Sequence, residues 1–296
     1  MKKSIEFTGV YPAMITSMKA DGSLDIDGIK ANAKALMDMG CSGLCLCGST
    51  GEAAFLTREE RVQVIKAAKE VLGGKGKIIA GTGSPVTSVA LQFTKDAKEA
   101  GADAVLVISP IGNTSTEGLV KHYETIAEVG LPVILYNYPA ATGISITADI
   151  FDRLIAIPNV IGMKESGGNI GLLAEILYKY HDSNLSLFTG ADDQILPAFA
   201  LGLKATILAT ANVAPKQAVD ILRLVQEGKL AEARKIFYNI IPLVGILGAE
   251  TNFPACFKKA VELLGRPAGK PRLPLLPMPE DEVPALKEAM KIAGVL

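Results

Sequence analysis

Val133-Ile-Leu-Tyr136, then a helical pattern over 147–155, then Val160-Ile-Gly-Met-Lys164: residues 133–164 read as strand, helix, strand. Both end segments are short apolar runs rich in β-branched residues and bounded by Pro, Gly and Asn, the marks of buried strands. Two such strands joined through a helix pair in parallel, because a parallel pair needs a long crossover connection.

The same rhythm extends in both directions. Strands are expected at 9–15, 43–47, 77–80, 104–108, 133–136, 160–164, 185–188 and 205–208. Helices are expected at 26–39, 58–72, 87–100, 116–128, 147–155, 170–180, 193–200 and 215–226. Alternating strands and helices imply a parallel sheet, and eight units in roughly 250 residues fit a closed barrel better than an open sheet. Beyond 226 the pattern is helical only, at 230–246, 252–264 and 282–292, with a proline-rich connector at 271–279 before the last helix. The expected fold is therefore α/β, a (β/α)8 TIM barrel with a C-terminal three-helix appendage. Residues 1–226 form the barrel that carries the active site, and 227–296 form the appendage.

Composition narrows the function. Thirty Lys and Arg against 31 Asp and Glu leave a net charge of −1, which gives no electrostatic footprint for nucleic acid or an anionic membrane. Glu6 interrupts the N-terminal segment, so no signal peptide is expected, and the charge-free run at 129–148 is broken by Pro132, Asn137 and Pro139. A soluble cytoplasmic protein follows. Three of the four cysteines crowd into Cys41-Ser-Gly-Leu-Cys45-Leu-Cys47, where Cys45 and Cys47 would share one strand face. They read as buried, reduced thiols rather than disulfide or metal ligands, with neither His122 nor His181 near them in sequence.

In barrel enzymes the chemistry sits where strands end. Three ends stand out. Lys164 closes the sixth strand, where desolvation can favour the neutral amine, a nucleophile towards carbonyl carbon; the plain alternative is a lysine that solvates a strand end. Tyr136 closes the fifth strand and is either a core aromatic or a proton carrier for imine chemistry. The second strand ends in Gly48-Ser49-Thr50-Gly51-Glu52, whose hydroxyls and backbone N–H groups suit a carboxylate, or simply form a tight turn. After the seventh strand, Asp192 and Asp193 would repel a phosphate; they either accept hydrogen bonds from substrate hydroxyls or cap the next helix.

These residues, with Ile79-Ala-Gly-Thr-Gly83, Tyr136-Asn-x-Pro139, Thr142-Gly143, Gly162-x-Lys-Glu165 and Ala211-Asn-Val213 in order, make the chain resemble the dihydrodipicolinate synthase and N-acetylneuraminate lyase family of class I pyruvate-dependent aldolases. The resemblance runs from Gly9 to Leu296. It implies a Schiff base between Lys164 and pyruvate, a proton relay through Tyr136 that Ser49 and Thr50 complete, with Ser49 counted among the catalytic residues, and the same two hydroxyls with Gly48 holding the pyruvate carboxylate beside the backbone at Ile207. It also implies a homotetramer built from dimers, with pyruvate and an aldehyde as substrates and with no metal or cofactor.

The departures are specific. Ser109-Pro-Ile-Gly-Asn113 lacks the tyrosine that family members lend to a neighbouring subunit, and Ala140-Ala141 stands where lysine-pathway synthases carry an arginine for the aldehyde's carboxylate. The stretch 136–143 is similar to 2-keto-3-deoxy sugar acid aldolases, and Ser166, Gly190, Asp192 and Asp193 fall where sialic acid lyases contact hydroxyls. The expectation is an aldolase or lyase acting on a small hydroxylated aldehyde partner, as in 2-keto-3-deoxy sugar acids or 4-hydroxy-2-oxo acids. The alternatives are the synthase that condenses pyruvate with aspartate semialdehyde and, from another class, a non-catalytic barrel that binds a 2-oxo acid.

Overall fold

The structure, a computed structural model, describes residues 7–248 and 253–296. The N-terminal reading up to Glu6 and the expected helix start at Asn252 lie outside the described residues.

Eight parallel strands form the barrel: β1 (Gly9–Pro12), β2 (Gly43–Leu46), β3 (Lys77–Gly81), β4 (Ala104–Ile108), β5 (Val133–Asn137), β6 (Val160–Glu165), β7 (Ser186–Thr189) and β8 (Ala205–Leu208). Hydrogen-bonded neighbours run in sequence order from β2 to β8, and β8 pairs with β1. The ring closes between β1 and β2 through a bridge from Ala13 to Cys45, with Met14 N–H donating to the Cys45 carbonyl at 2.9 Å. The expected (β/α)8 barrel is thus the observed one.

Around the sheet lie α1 (Ile26–Asp38), α2 (Arg58–Leu72), α3 (Thr87–Ala100), α4 (Thr116–Ala127), a single turn α5 (Pro139–Thr142), α6 (Ala148–Ile155), α7 (Ile170–Lys179), α8 (Ile195–Ala200) and α9 (Pro215–Gln226). Their starts are chemically marked. Thr57 and Glu60 form a reciprocal capping box on α2, and Asp25, Ser115, Thr147 and Asn169 each accept a first-turn N–H. Three helices follow the barrel: α10 (Leu230–Leu247), α11 (Ala255–Leu263) and α12 (Val283–Ile292). Of these, α10 packs on α8 and α9.

Both faces of the strands are buried because helices cover the outside, so the strands read as nearly continuous apolar runs. The pleat still sorts them. Tyr11, Cys45, Ile79, Leu106, Ile134, Phe188 and Ile207 fill the barrel interior, while Leu44, Val105, Leu135, Met163, Leu187 and Leu208 face the helices.

Four expectations need correction. The first strand stops at Pro12 rather than Ile15, since the chain leaves the ladder with β8 to make its bridge to β2. Cys45 and Cys47 do not share a face: β2 ends at Leu46, Cys47 turns to φ +53°, and its side chain joins the outer core while Cys45 points inward. All four cysteines are free and buried. The sixth strand continues one residue past Lys164, because Glu165 is paired in the ladder with Asn137 and buried there. The helix expected from Asp193 starts as a 3-10 turn at Asp192–Gln194, with α8 proper beginning at Ile195. No described helix is long and apolar enough to cross a membrane.

His122 on α4 is buried against Thr87, whose hydroxyl lies 3.0 Å from Nδ1, and Nε2 has no hydrogen-bond partner among the described residues. Burial pulls its pKa from 6.5 down to about 4. Between those values the unfolded chain binds a proton that the folded chain does not, so stability is complete above pH 6.5 and declines as pH falls through the window. Urea unfolding at pH 7.5 and pH 5 should show a loss of about 2 kcal/mol that the His122→Gln variant does not show.

Candidate active site

The strand ends enclose a cavity of about 480 Å3 at the C-terminal mouth of the barrel. Lys164 sits in its wall, 6% exposed, and its Nζ lies 4.3 Å from the centroid of the Tyr136 ring. The position is fixed by register. Tyr136 of β5, Lys164 of β6 and Phe188 of β7 are neighbours across the ladder, and residues paired across a parallel ladder point to the same face of the sheet.

One residue further along, Asn137 and Glu165 are also ladder partners, and the Asn137 side-chain amide donates to Glu165 Oε2 at 2.5 Å. The other Glu165 oxygen accepts from Gly167 N–H at 2.5 Å, while Asn137 Oδ1 accepts from Ile146 N–H at 2.9 Å. Burial raises the Glu165 carboxyl above its usual range, and these donors oppose the rise. The pair clips the two strand ends together on the face opposite Tyr136 and Lys164. Neither partner was singled out from the sequence as a site residue, although both lie within the quoted motifs.

Of the other candidates, Gly48, Ser49, Thr50, Ser166, Gly190 and Asp192 all line the cavity. Thr50 is buried and Ser49 exposed. The turn they belong to is held by Glu52 N–H donating to Ser49 O at 3.1 Å and Ala53 N–H to Gly48 O at 3.2 Å, with Thr16 Oγ1 donating to Gly51 O at 2.7 Å. Asp193 and Ile207 do not line the cavity: Asp193 is exposed on the rim, and Ile207 is fully buried in the barrel interior.

Asp192 does not cap α8. Its Oδ1 accepts from Thr210 N–H at 2.9 Å, tying the loop after β7 to that after β8. Burial pushes this carboxyl up, opposed by the Thr210 hydrogen bonds and the Lys164 charge, and reinforced by Asp193. Ser166 Oγ is buried without a hydrogen-bond partner among the described residues. Gly190 leaves room for its neighbours: a Cβ there would overlap Lys164 Cε and Ser166 Oγ and displace them.

Sequence reasoning did not identify several cavity residues. Tyr138 stacks on Tyr136 with ring centroids 5.9 Å apart and planes 14° apart, and Phe253 and Phe257 reach the cavity from the appendage. Strand alternation was the signal available for Tyr138, two residues on from Tyr136; contacts between the appendage and the mouth had no local signal. Lys164 and Asp192 are the charged side chains among the described lining residues, and Ala140 and Ala141 form part of the same wall. The segment after β4 presents Ile111 to solvent, 65% exposed. Chemically, the site offers an amine, phenols and hydroxyls around a space that admits a small oxo acid.

A family model described as "Dihydrodipicolinate synthetase family" matches residues 6–293. The chain is 41% identical over 287 residues to the 4-hydroxy-tetrahydrodipicolinate synthase of Methanospirillum hungatei, covering 96% of this chain and 98% of that protein. It is 38% identical over 293 residues to the synthase of the same name from Methanocaldococcus jannaschii, covering 98% of this chain and 100% of the relative. Among solved structures, the dihydrodipicolinate synthase of Acinetobacter baumannii complexed with pyruvate superposes with a TM-score of 0.93 at 34% identity, covering 98% of this chain and 99% of that one. That of Thermotoga maritima gives 0.93 at 31% identity, covering 99% and 100%. The expected family is therefore found, but the finer expectation of kinship nearer to sugar acid aldolases is not supported, since these relatives carry the synthase name.

Gly190→Ala should leave the melting temperature nearly unchanged while lowering turnover by about 10²-fold, the scale of a roughly 1 Å misplacement of a reacting group. Steady-state kinetics beside a thermal melt checks both halves.

Proposed function

The chain belongs to the dihydrodipicolinate synthetase family and is a carbon–carbon lyase, and on that premise we propose that it condenses pyruvate with aspartate semialdehyde through an enamine on Lys164. The observation that carries the chemistry is the buried Lys164 amine in the cavity wall, 4.3 Å from the centroid of the Tyr136 ring. The observation that favours this aldehyde is the likeness to synthases over nearly the whole chain.

In this reading the neutral Lys164 Nζ attacks C2 of pyruvate, and Tyr136 delivers a proton to the hydroxyl that leaves as water. Ser49 and Thr50 hold the pyruvate carboxylate. Loss of a C3 proton gives the enamine, whose carbon attacks the aldehyde carbon while the new alkoxide takes up a proton. The amine of aspartate semialdehyde can then displace Lys164 from the imine and close a ring, which frees the enzyme. The enzyme works as a homotetramer in the cytoplasm; light scattering reads the assembly directly.

A second reading, retro-aldol cleavage of 2-keto-3-deoxy sugar acids or 4-hydroxy-2-oxo acids, is favoured by one specific observation. Ala140 and Ala141 supply no cation for a second carboxylate, and Lys164 is the one basic side chain among the described lining residues. Ser166 and Asp192 would then receive substrate hydroxyls. Pyruvate consumption with aspartate semialdehyde, measured beside pyruvate release from sugar acids, separates the two. The first reading expects coupling to be the faster by at least about tenfold in kcat/KM; the reverse ratio selects the second.

Lys164→Ala should abolish turnover and the pyruvate adduct trapped by borohydride while the fold is retained. Full trapping in that variant, read by mass spectrometry, excludes Lys164 as the nucleophile. Tyr136→Phe should lose about 10²-fold or more in kcat, the usual scale for a general acid or base. A loss below tenfold assigns the proton transfer to another hydroxyl or to water.

A further inference from the structure

The carboxyl group of Glu52 lies inside the protein. Its side chain is 0% exposed, and Oε1 stands 2.5 Å from Nζ of Lys258 on α11, itself 2% exposed. Glu52 Oε2 accepts from the main-chain N–H of Arg272 at 2.8 Å, in the proline-rich connector. Lys258 Nζ also donates to Lys270 O at 3.0 Å. Burial pulls the Lys258 ammonium down, and Glu52 beside it opposes the fall.

The Arg272 guanidinium extends the network around the same loop. It donates to Phe55 O at 2.7 Å, to Gly22 O at 2.9 and 2.8 Å, and to both Glu60 oxygens at the capped start of α2. The appendage and connector therefore grip the segment after β2 from behind, while its front face, Gly48 to Thr50, lines the cavity.

Two features point beyond plain stabilisation. A buried ion pair is a poor device for stability alone, since well-packed apolar residues of similar volume often serve as well or better. Glu52 also holds a left-handed backbone, φ +59° and ψ +34°, which a non-glycine residue adopts at a cost and which the surroundings must impose. That residue is two positions from Thr50, and its N–H closes the turn onto Ser49 O. Glu52 is thus bonded to the backbone that carries both hydroxyls.

We propose that Glu52, Lys258 and Arg272 are positioning residues that set the Ser49 and Thr50 hydroxyls for the carboxylate of the 2-oxo acid bound at Lys164. The inference rests on the reading above, in which this loop receives that carboxylate. The three residues act through the loop and not on the reacting atoms. Their loss weakens capture of pyruvate and leaves the rate at saturation largely intact.

The test uses the full chain and needs no aldehyde. Borohydride trapping at Lys164 is followed against pyruvate concentration, giving a half-saturating concentration and a limiting rate. Removing one partner alone strands a buried charge and endangers the fold, so the informative protein is the double variant Glu52→Gln with Lys258→Met, which removes both charges together. The half-saturating concentration should rise about tenfold with the limiting rate held within about threefold, and Lys258→Arg should remain near the parent. A rise of less than about fivefold in a folded double variant overturns the proposal. A double variant that does not fold overturns it too, by assigning the pair to the whole fold. If the parent protein itself traps no pyruvate, the proposed function fails, an outcome seen before any variant is made.

Discussion

Everything in this site depends on the register between two parallel strands. Tyr136 and Lys164 are ladder partners, so the pleat sends both to the same side of the sheet, with Phe188 on the next strand beside them. The amine is then nearly buried, 4.3 Å from the centroid of the Tyr136 ring, in the wall of a cavity that Asp192 also lines. The bond between Asn137 and Glu165 fixes this register from the outer side, because alternate residues face opposite ways. A slip of one residue would turn the amine into the helix layer and bring Met163 or Glu165 into its place. Gly190, just past the end of β7, completes the constraint by leaving the room that the Lys164 stem occupies.

The second organising feature is polar and lies outside the barrel proper. Arg266 donates to Asn212 O and Asn32 Oδ1, Asn212 Nδ2 donates to Ala13 O at 2.7 Å, and Lys258 and Arg272 hold Glu52. Gly269 lies so close to Met18 O that a Cβ would overlap it. Residues 258–272 thus form a strap that ties the loops after β1, β2 and β8 to one another. A barrel fixes the ends of its strands but not the paths of its loops, and here buried charges and main-chain hydrogen bonds supply the missing constraint. The appendage also contributes Phe253 and Phe257 to the cavity wall, which makes it part of the cavity as well as its support.

Much of the fold was legible in the sequence because strand and helix signals are local. Apolar runs, helix caps such as Thr57 with Glu60, and turn glycines each declare themselves within a few residues, and eight repeats of the pattern leave little freedom in topology. Lys164, Tyr136 and the 48–52 turn were legible for the same reason: polar residues at the ends of apolar runs are unusual locally. Where the reading went astray, the cause was not local. Cys47 departs from strand alternation because the backbone turns to φ +53° there. Glu165 extends β6 because Asn137 on another strand bonds it.

By itself the sequence determined the barrel, its family and the identity of an amine, a phenol and two hydroxyls at strand ends, since periodicity, propensity and end-of-run polarity are properties of short windows of chain. Only the tertiary structure decided which of these meet in one cavity, that Asp193 stays on the rim and Ile207 within the core, and that Glu52 finds Lys258 and Arg272. The physical reason is separation: contacts between segments some two hundred residues apart are set by packing of whole elements, and no window of sequence contains both partners.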